Sequence, residues 1–289
     1  MWDFYHPPFE RVLNGRYSLY LTAPADCARQ LLEGRADLGL IPVAALTPEL
    51  LVVPGCTIAS LDRVRSIQLI VKAGRDLGQV RTVAADSASR SSLAYAQVLF
   101  RKFLGTTPEF GSTPADPVAM LAEADAALVI GDPALLALED RASIEAAAGP
   151  CTWHDVAGWW TSATGLPWVA AVWAVHPGAE FDRTQLIADL NRSRTHGLEH
   201  IDDLVNEWTG RIALPAATIR EYLTTNIHYS LDERCLAGVR LFRKLAAEGG
   251  ILPEIGEINL LEGFANVDDG EARADNNATS HHQLASEQV

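Results

Sequence analysis

An α/β fold is predicted, because short apolar runs rich in β-branched residues alternate along most of the chain with segments of helical period. The composition agrees: 289 residues, 48% apolar and 21% charged, are enough to bury a substantial core as one large domain or two smaller ones. Tyr17 to Leu21 alternates in strand fashion, and Pro24 then opens a helix whose apolar face is Cys27, Ala28, Leu31 and Leu32, with Gly34 as its stop. Ala36 to Ile41 returns to a strand, followed by only a faint helical signal. Leu50 to Val53 and Ile67 to Val71 read as buried strands, and Thr82 to Ala85 starts another. The alternation continues with helix 91–104, helix 117–123, strand Ala126 to Ile130, helix 133–139 and strand Trp168 to Val175. After Pro177 come helices over 183–196, 199–208, 215–224 and 231–248, the last closed by Gly249-Gly250. From Asn266 to the end large apolar residues almost vanish, which predicts a disordered tail, 266–289.

The net charge of −14 argues against nucleic acid or an acidic membrane as partner, since a polyanion needs an extended basic surface. An anionic ligand therefore needs a local site. The longest apolar run, Leu166 to Val175, is too short to span a bilayer. The first residues lack the basic and apolar regions of a signal peptide. Cys27, Cys56, Cys151 and Cys235 stand singly, which predicts free thiols in a reducing cytoplasm rather than disulfides or a metal site. Nothing in the sequence sets an oligomeric state.

The most informative segment is Arg81-Thr-Val-Ala-Ala-Asp-Ser-Ala-Ser-Arg-Ser-Ser-Leu93. A strand pattern runs into small hydroxyl residues around Arg90 and then into a helix, so hydroxyls, backbone N–H groups and a helix dipole converge beside a guanidinium fork. That combination suits a carboxylate or phosphate, although Ser and Asp are also ordinary helix caps. Gly131-Asp132-Pro133 follows a strand and opens a helix, placing Asp132 either as a cap or toward a ligand at the carboxyl end of the sheet. Ile41-Pro42-Val43 ends another strand. Thr57 and Ser60 are read as part of a short polar loop between strands, followed by Arg63, Arg65 and Ser66, with Arg65 facing either solvent or an ion pair. Trp159, Trp160, Trp168 and Trp173 suit a core, with Trp168 also able to wall a pocket.

Gly-x-Ser-x-Gly, Gly-x-x-x-x-Gly-Lys and Gly-x-Gly-x-x-Gly are all missing, which leaves serine hydrolysis, phosphoryl transfer and dinucleotide chemistry without support. His196 and His200 have zinc-ligand spacing, but the flanking Glu199 and Asp202 favour a solvated face.

Taken in order with Asp86–Ser92 between them, the segments Gly39-Leu-Ile-Pro-Val43, Gly55-Cys-Thr-Ile-Ala-Ser60, Val64-Arg-Ser-Ile67, Ala124–Leu135 and Thr164-Gly-Leu-Pro-Trp-Val-Ala-Ala-Val-Trp173 resemble the chorismate dehydratases of the futalosine route to menaquinone. The resemblance runs from residue 1 to about 264. It implies a two-lobed fold like the type 2 periplasmic binding proteins, with 1–82 plus 176–265 as lobe one, 83–175 as lobe two and the ligand between them. The implied activity is a lyase reaction, dehydration of chorismate to 3-[(1-carboxyvinyl)oxy]benzoate, with neither metal nor organic cofactor.

On that reading Ser87, Ser89, Arg90 and Ser91 seat one carboxylate, with Thr57, Ser60, Ser66 and Pro42 facing them from the other lobe. The base stays open between Asp86, Asp132 and a carboxylate of the substrate. Two departures stand out. The family's first strand and its Asn-bearing loop have no counterpart after Met1, so both are expected upstream, with Met1 an internal methionine. A family glycine near Leu61-Asp62 is also absent. The rival readings are a non-catalytic receptor for a small carboxylate and the later enzyme of the same route, which acts on a cyclic futalosine derivative.

Overall fold

The computed structural model describes residues 2–6 and 16–261, so the expected tail 266–289 lies outside the described residues. Two sheets organise them. The smaller consists of β1 (Leu38–Pro42), β8 (Trp168–Val175) and β2 (Leu51–Ser60) in the order β1-β8-β2, with both outer strands antiparallel to β8. The larger has the order β5-β4-β6-β3-β7, from β3 (Ile67–Lys72), β4 (Thr82–Asp86), β5 (Glu109–Thr113), β6 (Ala126–Ile130) and β7 (Cys151–Asp155). In it β4 runs parallel to β5 and β6, whereas β3 is antiparallel to β6 and β7.

The expected division at 82/83 and 175/176 is not where the chain changes sheets. β3 belongs with β4 to β7, and β8 belongs with β1 and β2. Both are apolar runs whose residues fit the interior of either sheet, so their composition alone does not mark the partner of either.

Ten α-helices accompany the sheets among the described residues. Pro24 in the first turn favours the start of α1 (Pro24–Leu32), and α2 (Ser91–Leu99) continues as a π-turn over Phe100–Leu104. Then follow α3 (Pro117–Glu123), α4 (Gly131–Glu139), α5 (Arg141–Ala148), α6 (Val156–Thr164), α7 (Arg183–Glu199), α8 (Ile201–Thr209), α9 (Ala216–Glu221) with a π-turn over Tyr222–Asn226, and α10 (Glu233–Glu248). Tyr17 to Leu21 forms no strand despite its alternation, and Tyr20 and Leu21 are 79% and 76% exposed.

Three helices meet on one aromatic cluster beneath the junction of the sheets. Tyr95 of α2 stacks on Phe242 of α10 at 3.8 Å and meets Trp160 of α6 edge-on at 4.9 Å, and all three rings are fully buried. Gly238 of α10 faces the Pro167 carbonyl so closely that a Cβ there would collide with it. The returning chain also covers the free edge of β2, where Ala59 exchanges hydrogen bonds with His228, and Val52 with Asn259 and Leu261.

Candidate functional site

β4 ends at Asp86, where turn chemistry takes over. The Asp86 carboxylate accepts the Ala88 N–H at 3.0 Å and its carbonyl accepts the Ser89 N–H at 2.9 Å, an Asx turn buried to 7% exposure. Ser89, one residue before the N-cap Arg90, accepts the Leu93 N–H of the first turn of α2 at 3.0 Å. Ser91 donates to the Ala170 carbonyl of β8 at 3.0 Å and accepts the Ala44 N–H at 3.3 Å.

Asp86, Ser89 and Ser91 are thus spent on holding the loop. What the loop leaves available is different: among the described residues the N–H groups of Arg90, Ser91 and Ser92 donate to no protein acceptor, as expected at a helix start. The side chains of Ser87 and Arg90 are exposed and without a hydrogen bond or ion pair among those residues. Backbone donors, a helix dipole and one unpaired guanidinium are the chemistry that an anionic group calls for.

The facing wall is the middle of β8. Pro42 stands in register with Ala171, and Thr57 donates its hydroxyl to the Ala171 carbonyl at 2.7 Å. Pro42, Thr57 and Ser91 therefore converge on Ala170-Ala171. Thr57 and Ser60 lie within β2 rather than in a loop, because the polar stretch continues the strand across two register shifts. The Ser60 hydroxyl is 1% exposed and accepts the Asp62 N–H at 3.4 Å.

A second group forms where β3 begins and β6 ends. Tyr222 donates to the Ser66 hydroxyl at 3.1 Å, and the Ser66 carbonyl accepts the Gly131 N–H at 2.8 Å. Burial, with the nearby Asp132 carboxylate adding to it, pushes the Tyr222 phenol up despite that hydrogen bond. Asp132 is not the helix cap. It lies inside the first turn of α4, exposed, with no hydrogen bond or ion pair to its carboxylate among the described residues.

Arg65 is ion-paired, with Glu221 at 3.0 Å and Glu139 at 3.5 Å, and it is the one non-glycine described residue with positive φ, 64°. Asp155 holds that strained turn by accepting the N–H groups of Val64 and Arg65 at 3.2 and 2.6 Å, besides capping α6 through the Gly158 N–H. Sequence reasoning missed Tyr222 and Asp155. The polar break Thr-Thr-Asn226 after Tyr222, and Asp155 three residues before Gly158, are the signals that mark them.

His196 and His200 form no zinc pair. His196 bonds the buried Asp3 at 2.9 Å and His200 stacks on Trp2 at 4.2 Å, so the expected solvated face is instead a docking face for the first turn of the chain. Trp160 and Trp168 are core residues. All four cysteines are free, Cys27 half-buried and the others buried. A cavity of about 230 Å³ lined by Gln97, Arg101, Thr107, Pro108, Phe110 and Ile251 lies at the opposite end of α2 from the loop.

An antiparallel three-stranded sheet and a mixed five-stranded sheet joined by crossovers, with a strand-to-helix loop at their junction, define a periplasmic-binding-protein-like fold. The solved structures agree on this. Protein AF1704 from Archaeoglobus fulgidus aligns with a TM-score of 0.63 at 15% identity, over 84% of this chain and 93% of that one. The Candida albicans CA3427 gene product, described as having the generic periplasmic binding protein fold, aligns with 0.56 at 13% identity, over 91% and 96%. The chain belongs to the menaquinone biosynthesis family, whose model matches residues 4–248. A chorismate dehydratase from Thermus thermophilus is 26% identical over 230 residues, which is 76% of this chain and 83% of that protein. No described helix is long and apolar enough to cross a membrane.

Proposed function

We propose that this chain dehydrates chorismate to 3-[(1-carboxyvinyl)oxy]benzoate in menaquinone biosynthesis. The observation that carries this reading is the row of unbonded N–H groups at Arg90–Ser92 beside the unpaired Arg90. Chorismate has two carboxylates, and one of them fits this seat, with Ser87 as a further donor. The three-stranded sheet with its C-terminal helices acts as one lobe and the five-stranded sheet as the other, and Ser91 sits at their meeting point.

The reaction removes one ring proton and one ring hydroxyl, which leave together as water while the ring becomes aromatic. It consumes no redox partner, and holding the substrate rigidly beside a base supplies much of the rate. One oxygen of the buried Asp86 holds its turn, whereas the Asp132 carboxylate is exposed and unpaired among the described residues, so Asp132 is the base on this reading. Thr57, Ser60 and Ser66 act on this view as supports for the wall rather than as ligands. A cytoplasmic location is part of this proposal, supported by the biosynthetic role and the four free thiols.

Incubation of the purified protein with chorismate, followed by chromatography for the aromatic product, tests the proposal. Product formation supports it. Binding of chorismate without turnover indicates a receptor, and turnover only of a cyclic futalosine derivative indicates the later enzyme.

A further inference from the structure

The segment that covers the edge of β2 carries three donor atoms of different kinds on one small patch. His228, held by its backbone to Ala59, directs Nε2 to within 3.7 Å of Asp232 Oδ2. Asp232 caps α10 with its other oxygen, which accepts the Cys235 N–H at 2.7 Å. The Cys235 sulfur completes the group, and the three ligand atoms lie within 4.8 Å of one another. His228 Nε2 is shut off from solvent and has no hydrogen-bond partner among the described residues, an uncommon cost for a buried ring nitrogen. Cys235 is fully buried, whereas Asp232 keeps 47% of its side chain in solvent, which leaves an open approach.

We infer that His228, Asp232 and Cys235 form a binding site for a zinc-class divalent ion, with one coordination position left to water. Tetrahedral bonds of about 2.0–2.3 Å set ligand atoms roughly 3.3–3.7 Å apart, so the His228–Asp232 separation already fits and the thiol needs only a small shift. A thiolate with an imidazole selects zinc over magnesium or calcium. Binding forms the sulfur–metal bond and releases the thiol proton to solvent. Burial pushes the free thiol up to about 12, so it is protonated without the ion. Affinity should therefore rise with pH. The ion would fasten the start of α10 to the segment paired with β2. This inference is independent of the proposed dehydration.

The test is calorimetric titration of zinc chloride, and cobalt(II) spectroscopy, on chelator-treated full-length protein. His281→Ala/His282→Ala serves as background, since the paired histidines of the tail are a competing site. One equivalent of ion, a thiolate-to-cobalt charge-transfer band, and loss of both in His228→Ala and Cys235→Ser are expected, with affinity falling by roughly 10–100-fold or more. Cys27→Ser is the thiol control and should bind normally. Thermal melts without metal check that each variant is folded, and Asp232→Asn supplies a second reading if Cys235→Ser is not. Absence of binding at micromolar zinc, or binding unchanged in His228→Ala, overturns the inference.

Discussion

The Ser91 hydroxyl donates to the Ala170 carbonyl at 3.0 Å while accepting the Ala44 N–H at 3.3 Å, so one side chain fastens the loop that opens α2 to the three-stranded sheet. Ser91→Ala leaves a partly buried N–H and a partly buried carbonyl without this partner. The expected cost is about 1–3 kcal/mol of stability, measured by urea denaturation. A variant as stable as the parent would show that water replaces the hydroxyl, and that the tie is dispensable.

Arg90 behaves differently, because its exposed side chain has no ion pair among the described residues. Arg90→Ala should leave the unfolding midpoint nearly unchanged. It should weaken binding of chorismate by about 1.5–3 kcal/mol, the usual loss for a charge-assisted hydrogen bond. Calorimetry on parent and variant gives both quantities, and normal binding by the variant counts against the seat.

Asp132→Asn separates the two sources of base. If Asp132 takes the ring proton, kcat should fall by roughly 10²-fold or more with KM little altered. Unchanged kcat would assign proton removal to the substrate's own carboxylate. Asp86→Asn is a different test, because it perturbs the Asx turn and should lower stability together with activity.

His154 of β7 stands opposite Leu69 of β3, and burial holds its imidazole below the ordinary value of 6.5. The unfolded chain therefore binds the proton more readily than the folded one. The corresponding stability is present above 6.5 and is lost as the pH falls through that value toward the lowered folded one. Denaturation midpoints should decline with acid in this window, and His154→Gln should flatten the decline. Parallel pH profiles for parent and variant would rule the residue out.

The strands that were legible are those buried on both faces. Ile67–Val71, Ala126–Ile130 and Trp168–Val175 declare themselves by apolar runs interrupted only at Gln68. β5 and β7 escaped notice because they are the edges of the five-stranded sheet, and Glu-Phe-Gly-Ser-Thr and Cys-Thr-Trp-His-Asp carry the polar residues that an edge tolerates. Tyr17–Leu21 shows the reverse error, since its alternation is not met by a strand ladder beyond a single bridge at Tyr17.

At the site, the Asp86–Ser92 segment was legible as a loop that opens a helix. The sequence did not reveal which hydroxyls remain available, because Thr57, Ser66 and Ser91 are consumed by residues far along the chain. Those partners are Ala171, Tyr222 and Ala170.

The sheet memberships also fix an order of assembly. Every strand of the five-stranded sheet lies between residues 67 and 155, so it can complete its pairing while later residues are still being synthesised. The three-stranded sheet has β1 and β2 ready early but must wait for β8 as its central strand, and for residues 228–261 to close its outer edge. Until then, apolar strands made first remain exposed on the ribosome. β1 and β2 are therefore the segments expected to depend most on chaperones, and slowed translation is most costly between the synthesis of β2 and that of the residues that close its edge.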